Sequence, residues 1–129
     1  MPEAALDLWP DIHAAKPRTP LSIMKQQAVM LGKHTSNLLE AEVTTDIYDG
    51  DFRHRFVIAV PALDYRYELF TVSHDPMLYP ITVSSVRYEN YTGRSKLQNE
   101  QEFVDWLKSV LNSDETKRIL ASLLAQAES

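Results

Sequence analysis

The chain has 129 residues, with thirteen basic against eighteen acidic side chains, a net charge of −5, seven prolines, three glycines and no cysteine. One domain of this length can bury a core without staples, and the missing cysteine excludes a disulfide framework, a thiolate zinc site and a cysteine nucleophile. No apolar run approaches the roughly 20 residues of a membrane span, no basic and then apolar leader opens the chain, and the acidic balance disfavours phosphate backbones.

Four of the prolines, Pro2, Pro10, Pro17 and Pro20, fall in the first twenty residues. Proline fixes φ and keeps the residue before it out of the helical region, so residues 1–18 read as an irregular arm ahead of a single domain, 19–129. Within the arm, Leu6, Leu8, Trp9 and Ile12 are too apolar for a purely solvated tail. The expectation is that Trp9 and Ile12 dock on the domain's own surface; the sharper alternative is a linear motif for a partner.

Thr19 and Pro20 predict a helix start, as N-cap and first helical residue, and a helix running to about His34. From Leu38 the period changes to two. Leu39, Ala41, Val43, Thr45 and Ile47 alternate with polar residues, the pattern of a half-buried strand. Asp49-Gly50 is a hairpin signal. The next strand, 52–60, sets Phe52, His54, Phe56, Ile58 and Val60 on one face and Arg53 and Arg55 on the other. Strands at 65–74 and 81–88 follow, joined by the proline-bracketed loop 75–80. Their charges select a register with Glu68 opposite Arg87 and Arg66 opposite Glu89.

The last third is helical. Asn99 with Glu102 forms a capping pair, and Phe103, Trp106, Leu107, Val110 and Leu111 recur at amphipathic spacing. Ser113 caps a second helix carrying Ile119, Leu120, Leu123 and Leu124. The prediction is an α+β domain: a four-stranded antiparallel meander with one N-terminal and two C-terminal helices on one face. Its core should unite Phe56, Ile58, Leu69, Phe103, Trp106, Leu107, Val110, Leu120 and Leu123.

Chemical motifs are scarce. His13, His34, His54 and His74 show no helical or strand spacing that builds a metal face. His54 reads as a core or boundary histidine, whereas His74, next to Asp75 and with Asp51 as a possible cross-strand neighbour, is the one candidate for an oriented imidazole. Nothing marks Ser73, Ser84 or Ser85 as activated. Glu40 with Glu42, and Glu100, Glu102 and Asp105, read as solvated faces. Isolated glycines make no phosphate loop, so neither a metal nor an organic cofactor is expected. Residues 51–98 balance six basic against five acidic side chains, and the glutamates interleave with the arginines, so nucleic-acid binding is not expected.

Tyrosine is the unusual feature: all six lie between residues 48 and 91. Tyrosine and methionine are enriched at interfaces, and Met77, Leu78 and Tyr79 sit in a loop where strand propensity does not explain them. These three, with Trp9 and Tyr91, are the candidate binding residues; no catalytic residue is indicated.

Residues 19–28 (Thr-Pro-Leu-Ser-Ile-Met-Lys-Gln-Gln-Ala), 56–74 and 78–83 (Leu-Tyr-Pro-Ile-Thr-Val) are similar to segments of small bacterial proteins of uncharacterised function. The likeness covers about half the chain and includes no catalytic motif; it implies a bacterial cytosolic setting and carries no activity across. In size and acidity the chain also resembles type III secretion chaperones, which place a helix among their strands, and toxin-neutralising immunity proteins. The resulting expectation is a cytoplasmic, non-catalytic protein-binding module, engaging a protein partner or itself, with no nucleic acid and no membrane. The alternative is a small-molecule-binding protein or minor hydrolase with a pocket between sheet and helices, using His54 or His74.

Overall fold

A computed structural model describes residues 5–13, 16–85 and 95–129. Helix α1 (Pro20–His34) begins as its sequence dictates: the Thr19 side chain accepts from the Ser22 N–H, and Pro20 occupies the first turn, where its missing donor costs nothing. Thr35 closes the helix and ties it to the first strand, its hydroxyl bonding the Leu31 and Leu39 carbonyls. Strands β1 (Glu40–Tyr48), β2 (Asp51–Val60), β3 (Tyr65–His74), β4 (Ile81–Ser85) and β5 (Ser95–Leu97) form one antiparallel sheet in sequential order. Helices α2 (Glu100–Leu111) and α3 (Asp114–Ala127) complete the chain.

The α+β class, the meander and the three helices are those expected, with one strand more. β5 has only three residues, too few to display alternation, yet it pairs Ile81 with Leu97 and Thr82 with Lys96. The β1–β2 turn has Asp49 at φ 51° and Gly50 at φ 83°, the two left-handed residues that a primed hairpin turn requires. β3 and β4 pair Phe70 with Ser85 through Ser73 with Thr82, the register that the charge argument selects. The charge pairs themselves, Glu68 with Arg87 and Arg66 with Glu89, involve residues outside those described.

A bulge decides which residues face the core. Between β2 and β3 the pairing shifts at Phe56/Val57: Val57 opposes Glu68, whereas Phe56 opposes Phe70, leaving Leu69 as the extra residue. Leu69 and Phe70 are consequently buried in succession, and beyond them Val72 and His74 join His54, Phe56 and Ile58 on the covered face. Against that face pack Ile23 and Met24 of α1, Phe103, Leu107 and Val110 of α2, and Leu123 of α3. Phe56 stacks on Phe70 with centroids 5.0 Å apart, and Trp106 meets Phe70 edge-on at 5.2 Å, coupling α2 to the centre of the sheet. Of the predicted core, Trp106 and Leu120 are only half-buried, because each sits on a helix flank rather than on its inward stripe.

Both C-terminal helices carry the predicted caps: Asn99 accepts from the Glu102 N–H and Ser113 from the Thr116 N–H. Among the described residues no helix is long and apolar enough to cross a membrane.

Candidate functional site

The expected docking of the arm does not occur. Leu6, Leu8, Trp9 and Ile12 are 64–83% exposed. Arg18 ends the arm by gripping Glu100, in the first turn of α2, through both carboxylate oxygens at 3.2 and 2.9 Å. Pro17 and Pro20 hold the intervening backbone extended, and the arm leaves the domain there.

Loop 75–80 divides its candidate residues instead of grouping them. The Asp75 carboxylate accepts from the Met77 N–H at 2.8 Å, and the Asp75 carbonyl accepts from the Leu78 N–H at 3.1 Å. Leu78 takes a left-handed φ of 75°, and Tyr79–Pro80 is cis. Met77 ends 80% exposed, whereas Leu78 and Tyr79 are half-buried, with the Tyr79 ring packed on the core. The Tyr79 hydroxyl is buried with no hydrogen-bond partner; burial, with the Glu100 charge, raises its pKa. The patch proposed from sequence is therefore reduced here to Met77. Trp9 lies in the exposed arm, and Tyr91 lies outside the described residues.

Two histidines that the sequence treats separately come together. His54 and His74 are 2% and 7% exposed, and their Nε2 atoms lie 2.8 Å apart. His54 Nδ1 is 2.8 Å from the Thr45 hydroxyl, and His74 Nδ1 is 2.8 Å from the Asp75 carbonyl. A carbonyl only accepts, so His74 Nδ1–H donates. In the neutral pair His74 Nε2 then accepts from His54 Nε2–H, and His54 Nδ1 accepts from the Thr45 hydroxyl. Every polar atom of the chain Thr45–His54–His74–Asp75 is satisfied. Protonating both imidazoles would put two hydrogens between nitrogens 2.8 Å apart. Burial lowers the pKa of His54 to about 4, with the adjacent His74 imidazole and the Lys25 ammonium adding to it.

The anticipated contact with Asp51 is absent, since Asp51 opposes Tyr48 and Phe52 opposes His74. Asp75 contributes its carbonyl to the pair and spends its carboxylate on the loop. The Nε2 separation is that of a hydrogen bond, shorter than the roughly 3.3 Å between two nitrogens on one tetrahedral zinc. Among the described residues no group of three or more His, Cys, Asp or Glu side chains is placed to hold a metal.

The uncovered sheet face presents Arg53, Arg55, Thr71, Ser73, Thr82 and Ser84. Among the described residues its guanidiniums are engaged: Arg53 forks onto Asp46 at 3.0 and 2.7 Å and lies over the Tyr48 ring, Arg55 bridges Asp46 and Glu68, and Arg66 grips Glu42. Hydrogen bonds from Arg53 hold the Asp46 carboxyl down to about 2. A cationic platform for a single strand would first have to break these pairs.

Two clefts flank α3. One, of about 650 Å³, lies toward the β2–β3 connection and mixes Leu63, Tyr65 and Ile119 with Glu115 and Arg118. The other, of about 380 Å³, runs between α1 and the α2–α3 pair. Its floor is the covered sheet face (Phe56, Ile58, Leu69), and its walls are Met30, Leu31, Leu111, Leu120, Ala121 and Leu124. Among the described residues His34 is its one titratable lining residue, and neither His54 nor His74 lines either cleft. A pocket between sheet and helices was the sequence's alternative expectation, but its lining was not legible, since periodicity gives each helix's buried stripe and not the spacing between helices. Compared with protein families, with curated proteins and with solved structures, the chain showed no match.

Proposed function

We propose that this protein is a non-catalytic protein-binding module of a bacterial cytosol, and that the groove between α1 and α2–α3 receives an apolar segment of its partner. The apolar groove carries the reading. Its walls are aliphatic and its mouth is rimmed by exposed Met30, His34, Asn112 and Ala121, the arrangement that accepts side-chain anchors from a helix or extended segment. Met30, 46% exposed, supplies the adaptable surface common to such grooves. Among the described residues the groove's lining offers one titratable side chain, His34, against an otherwise largely aliphatic wall, which suits apolar docking better than proton transfer. Lys33, next in sequence to the lining residue His34, and Lys108, in the same last turn of α2 as the lining residue Leu111, favour a segment flanked by carboxylates.

The volume also falls in the range of small-molecule sites, which keeps a small apolar ligand as the second reading. Capture from the native host separates the two, using wild type, Ala121→Glu in the groove and Ser84→Glu on the uncovered face. A protein retained by wild type and Ser84→Glu but lost by Ala121→Glu supports the proposal. A small molecule found by native mass spectrometry on the purified wild type, with no such protein, overturns it.

A further inference from the structure

The same chain contains both an open apolar groove and an exposed apolar segment. We infer that the groove is filled, in the free protein, by the arm of a second copy, so that two chains exchange arms. The inference rests on the groove being the binding site and names its resident occupant, which an outside partner would have to displace.

Three observations carry it. First, the segment from Leu6 to Ile12 exposes Leu6, Leu8, Trp9 and Ile12 to 64–83%, a density of bare apolar surface that monomers avoid. Second, the charges match. Asp7 and Asp11 interleave with those anchors, while Lys33 is next in sequence to the lining residue His34 and Lys108 shares the last turn of α2 with the lining residue Leu111. Third, the exit direction favours exchange over folding back. The arm leaves where Arg18 is clamped to Glu100, at the N-terminal ends of α1 and α2, whereas the groove lies along the C-terminal halves of those helices, at Met30, Leu31 and Leu111. Pro17 keeps Lys16, and Pro20 keeps Thr19 (φ −94°, ψ 155°), out of the helical region, which favours an extended exit away from the helices. Trp9 stands eleven residues before Pro20, and an extended stretch of that length spans at most about 40 Å, enough to cross into a neighbouring molecule.

Sedimentation velocity on the full chain tests this with two variants that leave the core untouched: Trp9→Ala in the arm and Ala121→Glu in the groove. Wild type should be dimeric at about 100 µM, and each variant should dissociate at least about tenfold more readily. An equimolar mixture should recover a heterodimer, because the Trp9→Ala chain retains a good groove and the Ala121→Glu chain a good arm. A monomeric wild type, variants that dimerise as wild type does, or a mixture no more associated than its components would each overturn arm exchange. If wild type is monomeric and Ala121→Glu still loses a captured partner, the exchange fails while the groove's binding role stands. If neither behaviour depends on residue 121, both fail.

Discussion

Lowering the pH should destabilise the fold through one residue, His54. Its environment is set from three elements: the Thr45 hydroxyl on β1, the His74 imidazole on β3 and the Lys25 ammonium on α1. Burial, with the His74 imidazole and the Lys25 ammonium adding to it, depresses its pKa from 6.5 to about 4. The unfolded chain therefore binds a proton at this site between about pH 6.5 and 4 that the folded chain refuses, and stability falls as the pH falls through that window. A depression of this size corresponds to about 3 kcal/mol, fully present above about pH 6.5 and lost by about pH 4. Asp46, held down to about 2 from 3.8, loses its contribution only below that window, so the two effects separate. Urea melts of wild type and His54→Gln, which cannot titrate, provide the assay. The stability gap between them should shrink or invert by about 3 kcal/mol from about pH 7.5 to 4. A gap constant to within about 1 kcal/mol, or a His54 imidazole that titrates near 6.5 by NMR, would refute the buried neutral pair.

Trp106→Ala should cost about 3 kcal/mol by urea melts, because it removes the edge contact with Phe70 and the stack on Phe103; a loss within about 1 kcal/mol would show that α2 is not coupled to the sheet through this ring. Tyr79→Phe should leave stability unchanged or raise it by about 1–2 kcal/mol, since the hydroxyl it removes is buried without a partner. A clear loss of stability would mean that the hydroxyl is hydrogen-bonded in solution. Single-stranded DNA should not bind at about 150 mM salt, with Arg53, Arg55 and Arg66 already paired to carboxylates; micromolar affinity with a steep salt dependence in a fluorescence titration would contradict this.

The secondary structure was largely readable because its signals are local. Thr19-Pro20, Asp49-Gly50, Asn99 with Glu102, and Ser113 each fix a boundary through a hydrogen bond or a backbone angle spanning a few residues. The histidine pair depended on something less local. Under the uninterrupted register of the β2–β3 hairpin, Thr71 would face His54, and His74 would point to solvent. The bulge at Leu69 reverses that parity and turns Val72 and His74 inward. Its trace was present in the sequence, where the apolar alternation Tyr65, Tyr67, Leu69 changes phase to Phe70, Val72. The arm misled for a different reason. Apolar composition indicates that a segment has surface to bury, but not whether it buries that surface against its own domain. The loop at 75–80 was expected to act as a unit, yet its turn sends Met77 outward and Tyr79 inward.

Site-specific photo-crosslinking tests the central claim most directly, with a benzophenone side chain placed at Met30 in the groove and, as a control, at Ser84 on the uncovered sheet face. Expressed in the native host, the Met30 probe should attach to a short apolar segment of a protein, either an outside partner or residues 5–13 of a second copy, and the Ser84 probe should not. Crosslinks that appear equally from both positions, or from Ser84 alone, would contradict the groove as the protein-binding site.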